Sequence, residues 1–272
     1  MPISPSQILL FGCGNMGGAM LRGWIAGGVA PDNFTVVDPR ATGLPAGVRL
    51  CRSASEISEQ FDVVILGIKP QMLAELADHI GGLLAPNAML VSILAGAETA
   101  TLSGYFPHAR IIRLMPNLAA SIGKSPLGLY SGELGDDGKQ AIDSILAPLG
   151  TSVWLSDEAQ MNAVTALAGS GPAFVYRFID TLTKGGVELG LSAEISARLA
   201  LSMVEGAALL AAGADESPSA LAAKVTSPGG TTAAGLGVLD TDDALARLVS
   251  ATLRAASERG AELARAAENE AT

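Results

Sequence analysis

The chain is poor in several residue types, and each shortage excludes something. Two cysteines, Cys13 and Cys51, cannot build a disulfide framework. With only two histidines beside them, they fall short of the ligand set a metal site usually takes, so no metal is expected. Charged residues are 16% of the 272, and 17 Lys and Arg stand against 27 Asp and Glu, a formal balance of −10. Neutralising phosphates needs a basic face, so nucleic acid is not an expected partner; the same sign disfavours an anionic membrane surface. No basic segment precedes the first apolar run, the first cationic side chain being Arg22, and no secretory leader is expected. The uncharged stretch Gly81–Ala97 is interrupted by Pro86, Asn87 and glycines, and reads as helix end, loop and strand rather than a membrane span. The expected location is the cytoplasm.

What is abundant is apolar: 49% of residues, enough to exclude disorder and to fill one large domain or two modest ones. The pattern splits the chain into two halves. In the first, short β-branched runs alternate with amphipathic segments. Strands are expected at Gln7–Phe11, Phe34–Val37, Asp62–Gly67, Met89–Leu94 and Arg110–Leu114, with helices at Met16–Ile25 and Gln71–Leu84. Continuous apolar strands separated by helices mean βαβ units and a parallel sheet buried on both faces. Ser125–Tyr130 and Val153–Leu155 add edge strands around a helix at Asp136–Leu146. After Leu155 no such run recurs, and Ala-rich and Leu-rich helices follow at Asp157–Ala168, Pro172–Leu189, Ala193–Ala211 and Asp242–Ala267. The expected organisation is a Rossmann-type α/β domain over 1–156 and an all-α domain over 157–272. With aromatics at 4%, long Ala-rich helices have few bulky side chains, and a second subunit is expected to complete their core.

Gly12-Cys13-Gly14-Asn15-Met16-Gly17 follows a strand and opens a helix, the context in which GxGxxG binds a dinucleotide. Gly12 allows the tight turn, Gly14 lets backbone approach a pyrophosphate, and Gly17 lets the helix pack on the strand. Free N–H groups at the helix start then bind the anion. About twenty residues on, Asp38 stands where an acid would bond a ribose 2′-hydroxyl and favour NAD. Arg40, two residues later, could pair with a 2′-phosphate and favour NADP, or point into solvent. Loops after the later strands lie at the same sheet edge: Gly67-Ile68-Lys69-Pro70, Ser92–Gly96 with Ala95 and Gly96, and Met115-Pro116-Asn117. Lys69 could hold a phosphate or ribose, or simply be solvated while its backbone touches the cofactor.

In the helical half, Val225–Gly235 contains Ser227-Pro228-Gly229-Gly230-Thr231-Thr232. It builds a loop and restarts a helix. That is either an ordinary cap and turn or a small anion site suited to a carboxylate, with threonine hydroxyls as neutral donors and acceptors. Ala168-Gly169-Ser170-Gly171-Pro172-Ala173 breaks one helix and begins another, its glycines allowing either close helix packing or close approach of a ligand. No catalytic histidine is evident, since His79 and His108 read as surface residues. No acidic pair stands out either. A site of hydroxyls, amides and a nicotinamide suits hydride transfer, because the cofactor supplies the chemistry.

Taken together the motifs resemble the pyrroline-5-carboxylate reductase family nearly end to end: Phe11–Gly17, Leu66–Gln71, Ser92–Gly96, Arg113–Asn117, Thr165–Ala173 and, most specifically, Val225–Gly235. The resemblance implies a Rossmann domain followed by a helical dimerisation domain, interleaved helices with the site at the dimer interface, and dimers that assemble further, often into decamers. It implies reduction of pyrroline-5-carboxylate to L-proline, the last step of proline synthesis, by NADPH, with NADH as the alternative. It implies that Ser227 and the amides of Gly229, Gly230 and Thr231 hold the substrate carboxylate, and that the Thr232 hydroxyl bonds the ring nitrogen and manages its proton. The chain departs from the family pattern at Leu118-Ala119-Ala120, where Thr-Pro-Ala is usual, at Lys124, where an acid is common, and at Ala54, near a common cofactor-contacting Asn. Two other readings compete. The β-hydroxyacid dehydrogenases carry a catalytic lysine shortly after their Gly-x-Gly, but here no lysine occurs before Lys184. A non-catalytic NAD(P)-binding sensor would not need Thr232 or the turn before it.

Overall fold

The computed structural model describes residues 7–270; residues 1–6 and 271–272, the outermost ends of the two expected domains, lie outside the described residues. By packing, the chain divides into two compact units, Gly171–Arg254 and the remainder. This division falls later than the change of composition near residue 156. The segment just after 156 still packs on the sheet: a Cβ on Gly128 would stand 2.4 Å from Val164 Cγ1. Ala255 onward also belongs with the first unit.

The first unit is built on an eight-stranded sheet: β1 Ile8–Phe11, β2 Phe34–Val37, β3 Arg49–Cys51, β4 Phe61–Leu66, β5 Leu84–Ser92, β6 Arg110–Met115, β7 Ser125–Tyr130 and β8 Gly150–Trp154. The spatial order is β3-β2-β1-β4-β5-β6-β7-β8. The first six strands are parallel; β7 runs antiparallel to β6, and β8 parallel to β7. The helices α1 Asn15–Ala26, α2 Leu73–Gly81, α3 Thr99–Tyr105, α4 Asp136–Leu146 and α5 Met161–Val164 belong to this unit. Strand side chains alternate between two cores. Ile8 and Leu10 face Met20, Trp24 and Ile142, whereas Leu9 and Phe11 face Leu73, Ile80 and Leu102. Burial on both faces is why these strands read as unbroken apolar runs.

Several elements differ from expectation. The helix expected over Gln71–Leu84 begins as a 3-10 turn at Pro70–Met72 and stops at Gly81; Leu84 opens β5 instead, because Gly81 and Gly82 end the helix first. β3 and α3 are too short to show a period. Between Ala168 and Ala173 one helical element ends at Gly169 and the next begins at Gly171, as expected, but the break is slight. α5 passes into a π turn over Thr165–Gly169, and Ser170 keeps helical dihedrals.

The second unit is helical: α6 Gly171–Glu188, α7 Ala193–Ala212, α8 Pro218–Lys224, α9 Thr231–Asp240 and the first part of α10, Ala244–Glu270. α8 and α9 were not resolved by periodicity. α6 and α7 form a hairpin in which Ser196, buried, donates its hydroxyl to Thr183 O at 2.7 Å. α7 is 20 residues long with a mean hydropathy of 1.5, long and apolar enough to cross a membrane by those two measures alone.

Candidate functional site

Parallel α/β sheets bind ligands outside the carboxyl ends of their strands, where the strand order reverses. Here the reversal lies between β1 and β4, and the loops after both strands meet. A Cβ on Gly12 would stand 2.6 Å from Gly67 O, and Gly12 has φ +93°, so only glycine fits. Gly17 is as restricted, its Cβ falling 2.7 Å from Gly12 O. Gly14 differs: a Cβ there meets nothing within 4 Å and projects into open space. The first bond of α1 is Gly18 N–H to Gly14 O at 2.8 Å. The N–H groups of Asn15, Met16 and Gly17 therefore precede the helix ladder and remain for an anion.

These loops border a cleft of about 660 Å³. Gly12, Gly14, Asp38, Arg40 and Gly67–Lys69 all line it. Cys13, Asn15, Met16 and Gly17 are in the same turn, and Pro70 opens the 3-10 turn that follows. Ala95 and Gly96, the latter with φ +81°, follow β5 at the same sheet edge.

Two of the residues expected to bind cofactor also bond within the protein. The Asp38 carboxylate accepts from three backbone N–H groups: Cys13 at 2.8 Å on Oδ2, Arg40 at 2.8 Å and Ala41 at 3.0 Å on Oδ1. It braces the glycine turn against the loop after β2. Asn117 is buried, and both ends of its side chain are bonded within the protein: Oδ1 accepts from Ala119 N–H and Nδ2 donates to Ala168 O, each at 2.9 Å.

The cleft also has walls that the sequence pattern did not suggest. Arg52, just past β3, lines it and donates to Ala41 O at 2.7 Å. Met72 from the 3-10 turn and Leu76 and His79 from α2 form another wall, so His79 is exposed yet borders the cleft. A recognised β3 would have placed Arg52 at a strand's carboxyl end. Burial first, and then the charge of Asp38, push the Cys13 thiol up to about 11, partly opposed by Arg22. The thiol is thus protonated at neutral pH and is no nucleophile.

In the helical unit, Ser227–Gly230 is a turn closed by Gly230 N–H on Ser227 O at 3.0 Å. Pro228 precedes Gly229, whose φ of +71° is the left-handed value that a type II turn demands at its third residue. Gly230 then caps α9, and the first helical bond is Ala234 N–H to Gly230 O at 3.1 Å. The amide of Gly230 is therefore committed to the turn. The amides left free at the helix start are those of Thr231, Thr232 and Ala233. Thr226, Thr241 and Thr252 bond back to carbonyls four residues earlier. Thr231 and Thr232, in the first turn of α9, have no such helical carbonyl behind them, and their hydroxyls and that of Ser227 are exposed.

Residues 158–263 match the family model described as pyrroline-5-carboxylate reductase dimerisation, and residues 7–96 match NADP oxidoreductase, coenzyme F420-dependent. A pyrroline-5-carboxylate reductase of Pseudomonas aeruginosa is 35% identical over 96% of this chain and 98% of its own length. The chain belongs to the pyrroline-5-carboxylate reductase family. Among solved structures, the family's reductase from Coxiella burnetii superposes with a TM-score of 0.88 at 30% identity, covering 96% of this chain and 99% of that one. The pyrroline carboxylate reductase of Plasmodium falciparum, solved with NADP bound, gives 0.82 at 26% identity over 95% and 98%. The family's pairing of a Rossmann domain with a helical dimerisation domain is the architecture found here. The first matched model begins at 158, near the change of composition and before the packing division.

Proposed function

We propose that the chain reduces the ring imine of L-pyrroline-5-carboxylate to L-proline with NADPH, the closing step of proline synthesis. The observation that carries this reading is the turn before α9, where free helix-start amides stand beside three exposed hydroxyls in Ser227, Thr231 and Thr232. An anionic carboxylate suits the amides of Thr231 and Thr232 and the Ser227 hydroxyl. Thr232 Oγ is the group assigned to the ring nitrogen. A protonated imine donates its N–H to that oxygen, which holds the proton on nitrogen while the C=N electrons settle there. The carbon gains the hydride, the nitrogen keeps its proton, and no acidic side chain is required. Bound NADPH supplies the hydride.

The residues around the cleft suit a dinucleotide. Gly14 leaves room for a pyrophosphate, and the amides of Asn15 to Gly17 face it. Ile68 and Lys69 border it from the β4 side, and Ala95 and Gly96 are assigned to its nicotinamide end. NADPH is favoured over NADH because the Asp38 carboxylate already accepts three N–H bonds, whereas Arg40 is exposed and stands with Arg52 at the cleft. Two cations suit a 2′-phosphate. Arg40→Ala is expected to weaken NADPH about tenfold in a fluorescence titration and leave NADH unchanged, since a charge-assisted bond is worth roughly 1.5 kcal/mol. Equal effects on both cofactors would return Arg40 to solvent.

A homodimer formed through the helical unit is the proposed assembly, with further association into a decamer. It is supported by the apolar side chains that α7 and α10 leave exposed. The proposed location is the cytoplasm, in keeping with two free thiols. The deciding experiment is NADPH and NADH oxidation with pyrroline-5-carboxylate, against pyrroline-2-carboxylate as control. Rapid oxidation with the first imine alone is expected. No oxidation by protein shown to bind NADPH would remove the reaction.

A further inference from the structure

A proline in a helical run has no N–H for the carbonyl four residues back, and its ring crowds that same carbonyl. Pro172 is the second residue of α6, so the acceptor it abandons is the Ala168 oxygen. The backbone answers with the π turn: Ser170 N–H reaches Thr165 O at 2.8 Å, one residue further back than in an α-helix. The Ala168 oxygen then accepts from Asn117 Nδ2 at 2.9 Å.

Asn117 is well placed to hold it. Its N–H donates to Ser125 Oγ at 2.9 Å, its carbonyl accepts from Ala120 N–H at 3.0 Å, and Oδ1 accepts from Ala119 N–H at 2.9 Å. A backbone donor on one side and a backbone acceptor on the other fix which way the carboxamide faces. The π turn also lies tight on the sheet edge. A Cβ on Gly169 would stand 3.4 Å from Met115 Sδ.

We propose that Asn117 is a positioning residue, the substitute donor for the N–H that Pro172 lacks, which locks the π turn to the Met115-Pro116-Asn117 loop at the carboxyl end of β6. This is an alternative to the expectation that Asn117 binds cofactor. The kinetic part of the proposal rests on the reductase reading, because hydride transfer fails when reacting groups drift from contact distance. The stability part does not depend on it.

The test is a double-mutant cycle of Asn117→Ala and Pro172→Ala, read by thermal stability, NADPH dissociation constant and the separate kcat and KM. Alanine at 172 restores an N–H that can reach Ala168 O. Asn117→Ala alone is expected to lower thermal stability and kcat, the latter about tenfold, with the NADPH constant changed less than about twofold. In the Pro172→Ala background the same change should cost little in either readout. Equal losses of stability in both backgrounds would overturn the proposal. So would a tenfold weaker NADPH constant in both, which would make Asn117 a cofactor ligand. Should Asn117→Ala fail to fold, Asn117→Asp keeps the acceptor for Ala119 and removes only the donor, and the same rescue by Pro172→Ala is expected. A wild-type protein without turnover would sink the reductase reading, while the stability coupling would still decide the role of Asn117.

Discussion

In the sheet-bearing unit Leu9, Leu10 and Trp24 have no exposed surface, while in the helical unit Leu189 and Leu210 are 89% and 76% exposed. Of residues 171–254 only Ser196 and Ala200 are buried. Both regions are rich in apolar residues, so composition does not separate them. The difference lies in layers. Strands covered by helices on both faces complete two cores within one chain. A set of helices with small side chains covers only one stripe of each, and the other stripe is left for a partner. Large exposed apolar surfaces of this kind mark interaction sites, and the match to a dimerisation family over 158–263 accounts for this one.

The comparison breaks most visibly at Trp24. Its ring is fully buried, lies 5.4 Å from that of Phe34, and its indole N–H donates to Ile145 O at 2.7 Å. Trp24→Ala is expected to destabilise the first unit by about 3–5 kcal/mol, as for other large core truncations. Chemical denaturation should show that loss at any protein concentration. If instead the loss faded as protein was concentrated, the self-sufficient core assigned to this unit would be wrong. The helical counterpart is Leu199→Glu on the exposed face of α7, where a charge at a desolvated interface is expected to weaken dimerisation by roughly 2–5 kcal/mol. Sedimentation should find monomer on dilution, with the circular dichroism of the sheet unit retained. A dimer as tight as wild type would move the interface away from that face.

A third change sharpens the contrast between architecture and chemistry. Thr232→Ala removes an exposed hydroxyl that supports no packing, so the melting temperature should stay within a degree or two while kcat falls about a hundredfold. Wild-type turnover would take Thr232 out of the mechanism. The smallest expected effect concerns the tie between β6 and the segment leading into α5. Burial alone would raise the carboxyl pKa of Glu158. Hydrogen bonds from Thr99 and Arg113, the latter at 2.7 Å, outweigh that penalty and hold the pKa below its ordinary 4.5. Because the folded value is the lower one, the stabilisation is complete above about 4.5 and is lost as pH falls through the folded value. Glu158→Gln should therefore flatten the acid limb of the stability curve and change little at neutral pH. An unaltered acid limb would assign that loss to other carboxylates.

Much of this arrangement was legible before any coordinates. The apolar runs at Phe34–Val37 and Ser125–Tyr130 and the helix at Asp136–Leu146 coincide with observed elements residue for residue. They were readable because burial on one or two faces imposes a period on the residues themselves. The three-residue β3 and the seven-residue α3, with few buried positions, carry no such period. The turn Ser227–Gly230 was legible for a different reason: proline and glycine at its middle positions dictate local dihedrals without help from the rest of the chain.

Sequence alone determined the glycine turn after β1, the parallel sheet, the all-helical second half and the family to which the chain belongs, because each is written in neighbouring residues. Only the tertiary structure decided what the polar side chains do. Asp38, expected to bond a ribose, also accepts from Cys13 N–H, 25 residues away. Asn117, expected to bind cofactor, donates its carboxamide N–H to Ala168 O, 51 residues away. Arg52 looked unremarked until β3 delivered it to the cleft. A hydrogen bond is satisfied by whichever partner folding brings within about 3 Å, and no local pattern names that partner.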